Sequence, residues 1–210
     1  MLNQFKNLSC YEEFEILCAL TGISKIDVLK EIGHKVNNYY FFISEDGIFN
    51  WFDLNGNHIK DPGVLKTLIE RHIPENITKC VIPNSVIRIA DATFSNYKSL
   101  KEVIIPNSVI YIYSCTFANC DLLKEITIPD SVMGISDYAF FGCDSLTTIT
   151  ISNNIMYIGD NVFRRCKSLK EVIFKGKTLD QVKQMENYPF GIEDKNIIKC
   201  KINDFSQYIN

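Results

Sequence analysis

The sequence has few of the residues and motifs that most catalytic and cofactor sites require. It contains only three histidines, His34, His58 and His72, and none lies in an HExxH pattern. Its ten glycines form neither a GxGxxG motif nor a phosphate-binding loop. Its acidic residues recur at a regular spacing instead of converging as a pair. We therefore predict no catalytic, metal or cofactor site, and a protein that is not an enzyme.

Long apolar runs and an excess of positive charge are also missing. No apolar run approaches the length that spans a bilayer, and the N-terminal MLNQFKNLSCYEEFEIL lacks the basic and apolar segments of a secretory signal. The net charge of -3 gives no general attraction to nucleic acid or anionic lipid. We therefore expect a cytoplasmic protein that binds neither membranes nor nucleic acid, and whose eight cysteines are reduced.

What the sequence has is a repeat of 23 residues. Four consecutive copies align without a gap over residues 82–173: IPNSVIRIADATFSNYKSLKEVI, IPNSVIYIYSCTFANCDLLKEIT, IPDSVMGISDYAFFGCDSLTTIT and ISNNIMYIGDNVFRRCKSLKEVI. One phenylalanine recurs in every copy, as Phe94, Phe117, Phe140 and Phe163. A fixed period of this length predicts a solenoid, because each unit buries its apolar face only by stacking on its neighbours.

The repeats resemble the leucine-rich repeats of the BspA-like type, whose pattern is roughly LxxLxLPxxLxxIxxxAFxxC. The residues that match this pattern in one turn are Leu100, Val103, Ile105, Pro106, Val109, Ile112, Phe117 and Cys120. The segment FKGKTLDQVKQMENYPFGIEDKNIIKCKI, after the last copy, is similar to the closing segment of this family. The resemblance implies a solenoid of short stacked parallel strands. Because members are commonly exported, it also implies a cell-surface location as the alternative to the cytoplasm.

These patterns predict an α+β protein in three parts. Residues 1–58 form an N-terminal cap or docking domain of helices and a hairpin, and residues 174–210 form a C-terminal cap of one helix and one strand. Between them lies the solenoid, residues 59–173, in which 59–81 is a degenerate repeat and 82–173 the four clean copies. Caps are expected because the end turns of a solenoid expose apolar surface and unpaired strand edges.

The N-terminal part admits two interpretations. Capping boxes beginning at Ser9 and Ser24 predict two helices, the second ending at Gly33, and turn signals at Asp46-Gly47 and Asn55-Gly56 divide the strands that follow. Two short helices and a hairpin are also elements of a winged helix-turn-helix that reads DNA. This part holds four lysines and eight acidic residues, a formal charge of -4, which repels phosphate. We therefore favour a cap over a DNA reader.

The C-terminal part carries its own signals. The capping box Thr178-x-x-Gln181 predicts a helix that runs to about Glu186. The segment from Ile197 to Ile202 is typical of a last strand. We expect the helix and the strand to close the C-terminal edge of the stack.

Three cysteines recur within the repeats. Cys120, Cys143 and Cys166 occupy the position that Tyr97 fills in the first copy, a replacement that a metal site does not tolerate. An inward-facing ladder of medium-sized groups does tolerate it, so we predict buried and inert thiols. Cys115 lies off this ladder and is expected to be partly exposed.

The outer surface of the stacked strands is where we expect binding. Alternation along a strand sends Val103 and Ile105 inward and leaves Glu102 outside. The second strand of each unit places tyrosine, isoleucine and methionine outside, which is unusual for a solvated surface. The alternative is that these side chains pack against neighbouring loops and reflect strand propensity alone. The candidate partner-binding residues are Arg88, Glu102, Ile110, Tyr111, Tyr113, Glu125, Met133, Met156, Tyr157 and Glu171.

These observations predict a rigid scaffold that binds another protein and has no chemistry of its own. We expect an intracellular adaptor or inhibitor, as in a conflict between phage and host or between host and parasite. Two alternatives are an exported adhesin of the leucine-rich-repeat type and a DNA-binding regulator with an N-terminal winged helix-turn-helix. The sequence does not identify the partner, and a second copy of the chain is one alternative.

Overall fold

The structure is a computed structural model that describes residues 11–21, 23–32, 34–36, 39–43, 49–53, 57–59, 67–68, 73 and 76–202. Within these ranges the helices are α1 (Tyr11–Thr21), α2 (Lys25–Ile32) and α3 (Leu179–Lys183), and a 3-10 turn spans Lys195–Ile197. The remaining regular structure consists of short strands. Parallel strands dominate it, as the resemblance implied.

The N-terminal region contains two helices and an antiparallel sheet. Helix α2 begins at the predicted cap, where the Ser24 hydroxyl accepts from the Asp27 amide at 3.2 Å and donates to the Asp27 carboxylate at 2.6 Å. The sheet has the order β1-β2-β3-β4, with strands His34–Val36, Tyr39–Ile43, Phe49–Asp53 and His58–Ile59. The predicted helix start at Ser9 and the turns at Asp46-Gly47 and Asn55-Gly56 lie outside the described residues.

The apolar core runs from this sheet into the solenoid. The rings of Phe41 and Trp51 lie 4.9 Å apart and belong to the same buried cluster as Cys80, in the first strand pair of the solenoid. Phe52, which follows Trp51 in β3, packs against Phe14 of α1 with the ring centres 5.0 Å apart. A cap over the first turn requires such a continuous core. The boundary at residue 58 stays a prediction.

Each turn of the solenoid places strands on two faces. The first face carries β6, β8, β10, β12, β14 and β15, which are Lys79–Val81, Glu102–Ile104, Glu125–Thr127, Thr148–Ile151, Glu171–Lys175 and Ile198–Lys201. The second face carries β5, β7, β9, β11 and β13, which are Thr67–Leu68, Arg88–Ile89, Tyr111–Ile112, Gly134–Ile135 and Tyr157–Ile158. The strands of the second face form one sheet, whereas those of the first face form two, β6-β8 and β10-β12-β14-β15.

The strand pairing confirms the 23-residue register. On the first face Glu125 pairs with Thr148, and Thr148 pairs with Glu171. On the second face Thr67 pairs with Arg88, an offset of 21 residues. The degenerate first turn is therefore two residues shorter than the clean copies.

Stacked phenylalanines form the centre of the core. The ring of Phe117 lies 5.1 Å from Phe94 and 5.2 Å from Phe140, with interplanar angles of 7° and 10°. Phe163 continues the stack at 6.0 Å from Phe140. Identical rings lie one above another because every turn has the same length. Each such pair stabilises the fold by about 0.5–1.5 kcal/mol beyond the free energy gained from burying apolar area.

The third side of each turn contains two residues in the left-handed conformation. At the first position φ lies between 52° and 56°, in Ala92, Cys115, Tyr138 and Asn161. At the second position φ lies between 57° and 67°, in Asn96, Asn119, Gly142 and Arg165. Asparagine and glycine tolerate this conformation, whereas alanine, cysteine and tyrosine rarely adopt it. Hydrogen bonds between turns hold it, as from the Cys115 amide to the Asp137 carbonyl at 3.0 Å.

Helix α3 starts at the predicted capping box. The Gln181 amide donates to the Thr178 hydroxyl at 3.2 Å, and the Thr178 amide donates to the Gln181 side chain at 2.8 Å. The helix ends at Lys183, before the predicted Glu186. The Met185 amide bonds to the Val182 carbonyl instead of continuing the helical pattern.

The segment after α3 makes hydrogen bonds to the last repeat like those that a further turn of the solenoid would make. The Phe163 amide donates to the Phe190 carbonyl at 3.0 Å, the bond that the Phe140 amide makes to Val162 of the following repeat at 3.1 Å. Asn187 supports this segment by donating to the Ile158 carbonyl. Strand β15 pairs in parallel with β14, so the predicted last strand is confirmed.

Candidate partner-binding surface

The first face is polar on its outside. Its acidic candidates, Glu102, Glu125 and Glu171, are all exposed at equivalent positions of three turns. Ile104 is 44% exposed, while Val103 and Ile105 are buried, as strand alternation predicted. Glu102 pairs with Lys79 of the preceding turn at 3.2 Å.

The second face carries a row of aromatic and methionine side chains. Strand pairing places Arg88, Tyr111, Gly134 and Tyr157 one after another, in the predicted order. Arg88 is exposed at one end of this row. We call Tyr111, Met133, Met156 and Tyr157 the tyrosine–methionine stripe; they are 40%, 38%, 71% and 40% exposed.

Two candidates lie less far outside than predicted. Ile110 and Tyr113 are half-buried, because they flank the two-residue strand β9 and do not form part of its exposed row. The Ile110 amide donates to the Ile87 carbonyl and the Tyr113 amide to the Ile89 carbonyl. Both residues are therefore hydrogen-bonded to the preceding turn. The ring of Tyr113 lies 6.3 Å from that of Tyr111, so it supports the stripe from the side.

Gly134 makes room for the ring of Tyr111. A Cβ atom at Gly134 would lie 3.0 Å from Cδ1 and 3.2 Å from Cε1 of Tyr111. The tyrosine therefore covers the strand of the next turn, where a side chain would otherwise stand. The sequence shows that glycine stands at the repeat position where the other copies have arginine or tyrosine. It does not show that this glycine lies under the ring of Tyr111, which depends on how the turns stack.

Tyr157 is held by a carboxylate of the preceding turn. Its hydroxyl lies 3.3 Å from the Asp137 carboxylate, which also accepts from the Asp160 amide at 2.8 Å. Partial burial, and then the charge of Asp137, raise the pKa of Tyr157. The phenol is therefore a neutral hydrogen-bond donor with a defined orientation.

The cysteine ladder is structural. The thiols of Cys120, Cys143 and Cys166 donate to the carbonyls of the phenylalanines 26 residues earlier, at 3.0–3.1 Å. Burial raises the pKa of Cys120 and of Cys166 to about 12, so neither forms a reactive thiolate near neutral pH. Tyr97 occupies the same position in the first copy, and its hydroxyl donates to the Ile73 carbonyl at 2.8 Å. Sequence reasoning predicted the burial and missed these hydrogen bonds.

Cys115 lies off the ladder and is half-buried, as predicted. Partial burial, and then the charges of Asp91 and Asp137, raise the pKa of its thiol. Of the histidines, His34 and His58 lie on β1 and β4, and His72 is outside the described residues.

In the part of the chain that the structure describes, no group of three or more histidine, cysteine or acidic side chains is arranged to hold a metal ion. Nor is any described helix long and apolar enough to cross a membrane.

Comparison with known proteins identifies the repeats. The family described as "BspA type Leucine rich repeat region" matches residues 73–205 in six copies. No curated protein matches the sequence.

Several solved bacterial structures share the fold. A leucine-rich repeat protein from Bacteroides ovatus is 31% identical over 59% of this chain and 30% of that chain, with a TM-score of 0.51. A leucine rich cell surface protein from Faecalibacterium prausnitzii is 20% identical over 74% of this chain and 42% of that one, with a TM-score of 0.57. A leucine-rich repeat protein from T. pallidum is 19% identical, with 67% and 70% covered and a TM-score of 0.50. The chain thus spans less than half of the first two structures.

Proposed function

The chain belongs to the BspA-type leucine rich repeat family, and from that premise we propose that it is a non-enzymatic scaffold that binds another protein through the tyrosine–methionine stripe. Leucine-rich-repeat solenoids generally bind protein partners and have no catalytic activity. What we propose for this chain in particular is the surface that binds the partner. The exposed side chains of the second face favour that face over the first.

The observation that carries the proposal is the exposure of the stripe. Met156 is 71% exposed, and Tyr111 and Tyr157 are each 40% exposed on strands that pair in register. Tyrosine and methionine are enriched where proteins meet, and tyrosine is among the residue types enriched in the few positions that dominate binding energy at interfaces. The Tyr157 hydroxyl keeps its position through Asp137, so little conformational entropy is lost on binding.

The backbone beneath the stripe is equally ordered. The amides of Met156 and Tyr157 both bond to the Met133 carbonyl, at 2.9 and 3.2 Å. The Met133 amide bonds in turn to the Ile110 carbonyl at 2.9 Å. The stripe is therefore a preformed surface whose flexible methionines adapt to a partner while its tyrosines stay in place.

We favour an intracellular adaptor or inhibitor that covers the functional surface of another protein. A second candidate, an exported adhesin, is favoured by the relationship to the Faecalibacterium prausnitzii protein, whose description places it at the cell surface. Both functions use the same stripe, so they differ in the partner and the location and not in the binding surface.

The test is affinity capture with three forms of the protein. The unmodified chain and the double variant Tyr111→Ala/Tyr157→Ala are compared on cell lysate and on extracellular or host-cell surface extracts, with mass spectrometry of what is retained. The control is Tyr138→Ala, which removes an exposed tyrosine from the third side; the left-handed backbone there accepts alanine, as Ala92 shows at the equivalent position.

The expected result is one protein retained by the chain and by the control, and reduced at least tenfold on the double variant. Circular dichroism establishes that all three forms are folded. Equal retention by the double variant would refute the stripe as the binding surface. Sedimentation analysis adds one further outcome: a dimer that the double variant abolishes would identify a second copy as the partner.

A further inference from the structure

The pairing of strands on the first face stops between β8 and β10. At other turn interfaces of this face the Lys101 amide donates to the Thr78 carbonyl at 2.7 Å, and the Thr147 amide to the Lys124 carbonyl at 2.9 Å. Residues 76–202 are described without a gap, and within them the equivalent bond from Lys124 to Lys101 is absent. β8 and β10 consequently belong to different sheets.

The other end of the same interface is also open. The Ile128 amide donates to the Thr150 carbonyl at 3.0 Å, but in this part of the chain the matching bond from Ile105 to Thr127 is missing. Ile105 is only 8% exposed. A backbone amide without a protein acceptor is less stable than a paired one, and an occupant of the crevice that supplies an acceptor there would be stabilised.

A crevice occupies the space between the two strands. Its volume is about 280 Å³, and Glu102, Ile104, Glu125 and Thr127 are among the residues that line it. Pockets for whole small molecules usually measure roughly 300–1,000 Å³. The crevice is the size of a single side chain with the adjoining backbone.

The two unpaired strands carry like charges at equivalent positions. Glu102 and Glu125 hold equivalent positions in adjacent turns, where like charges directly opposite each other destabilise a strand pair. At the preceding interface Lys79 faces Glu102, and at the following one Thr148 faces Glu125. Among the ion pairs of the described residues, none includes Glu125. Two carboxylates, of which Glu102 is also paired with Lys79 of the preceding turn, therefore line the one interface of β6, β8, β10, β12 and β14 that lacks strand pairing.

We propose that this crevice docks an extended segment of a protein partner that inserts an arginine between Glu102 and Glu125. The planar guanidinium has five donors and bonds to two carboxylates at once, which the single ammonium of lysine does less well. Its apolar stem lies along the exposed Ile104. Backbone carbonyls of the segment that reach into the crevice accept from the Ile105 and Lys124 amides, which have no backbone acceptor within residues 76–202.

This inference rests on the proposed function only in that a protein is bound; the site is the first face and not the stripe. Three fluorescein-labelled pentapeptides serve as probes, each with a central arginine flanked by valine, threonine or glycine, and binding is measured by fluorescence anisotropy at low salt. Matched peptides carry glutamine in place of arginine. The protein variants are Glu102→Gln/Glu125→Gln, the charge control Glu193→Gln in the C-terminal segment, and Tyr111→Ala/Tyr157→Ala.

We expect at least one arginine peptide to bind, and both the glutamine peptide and the double glutamine variant to reduce its affinity at least tenfold. The Glu193→Gln variant should change it less than twofold. Hydrogen exchange should show that the Ile105 and Lys124 amides become protected when the peptide binds. Binding of no arginine peptide, equal binding of arginine and glutamine peptides, or unchanged affinity of the double glutamine variant would each overturn the proposal.

The stripe variant separates the two hypotheses. If Tyr111→Ala/Tyr157→Ala loses protein capture but keeps the peptide, both surfaces act. If capture does not depend on the tyrosines while peptide binding depends on the glutamates, the stripe is refuted and the crevice stands. Peptide binding that fails while tyrosine-dependent capture succeeds refutes the crevice alone.

Discussion

The same two turns of the solenoid pair their strands on one face and leave them unpaired on the other. On the second face β9 pairs with β11, and the ring of Tyr111 fits over Gly134. On the first face the strands immediately before them, β8 and β10, do not pair, and Glu102 and Glu125 line the crevice between them. The buried positions of both turns are filled by apolar residues, as with Val103 and Ile126. The two turns therefore share one core, and what differs between their faces is the pair of side chains outside it: a tyrosine over a glycine on the second face, and two glutamates on the first.

Under the two proposals, the faces bind different kinds of partner. The second face offers a continuous, mostly uncharged surface with large exposed side chains, which matches a broad contact. The first face offers a narrow acidic crevice with free backbone amides, which matches one basic side chain and an extended chain.

The largest expected effect is a loss of stability when a phenylalanine of the shared core is removed. Phe117 is fully buried between Phe94 and Phe140, and it keeps these turns together where the first face is open. Phe117→Ala should lower the free energy of unfolding by about 3–5 kcal/mol, because it leaves a cavity in the stack. Urea unfolding followed by circular dichroism measures this. The exposed Tyr138→Ala serves as the control, and a loss no larger than that of the control would show that the stack does not join the turns.

A smaller effect is expected from closing the open interface. Glu125→Lys places a cation opposite Glu102, so β8 and β10 should approach and pair. Cross-strand pairs of opposite charge contribute about 0.2–1 kcal/mol, and the free energy of unfolding should rise by that order. The sharper measurement is hydrogen exchange, since the Ile105 amide should gain protection. With Glu193→Lys as the charge control, unchanged exchange at Ile105 would contradict repulsion as the cause of the opening.

The smallest effect concerns the anchoring of the stripe. Folding raises the pKa of Tyr157 above its usual value of 10.0, so its contribution to stability is complete below pH 10 and is lost as the pH rises through the raised pKa. Tyr157→Phe has no phenol to ionise. Its melting temperature should therefore fall less than that of the unmodified chain as the pH is raised above 10. Parallel thermal melts at several pH values measure this, and identical slopes would mean that neither partial burial nor the charge of Asp137 raises the pKa of Tyr157.

Much of the fold could be predicted from the sequence, because a solenoid repeats one packing problem. The 23-residue period predicted the strand register, the buried Phe94 and Cys120 and the exposed Tyr111 and Met156. Short-range hydrogen bonding predicted the capping box at Thr178, since its two partners lie three residues apart. The use of the stripe for binding stays a prediction.

Other features could not be read from the sequence. Helix α3 ends at Lys183 because the following segment docks on the last repeat, and no local signal marks that contact. The left-handed backbone at Tyr138 is held by neighbouring turns, against the preference of the residue itself. Ile110 and Tyr113 are half-buried because strand β9 is only two residues long.

By itself the sequence determined the solenoid, its period and the order of residues along each row, because these follow from equal spacing and from burial of every turn against the next. Only the tertiary structure decided which rows are continuous. Glu102 and Glu125 are 23 residues apart in the chain and become neighbours only after stacking. Whether two turns then pair depends on the balance among core packing, backbone hydrogen bonds and the repulsion of two carboxylates, and that balance exists only between turns that have already folded.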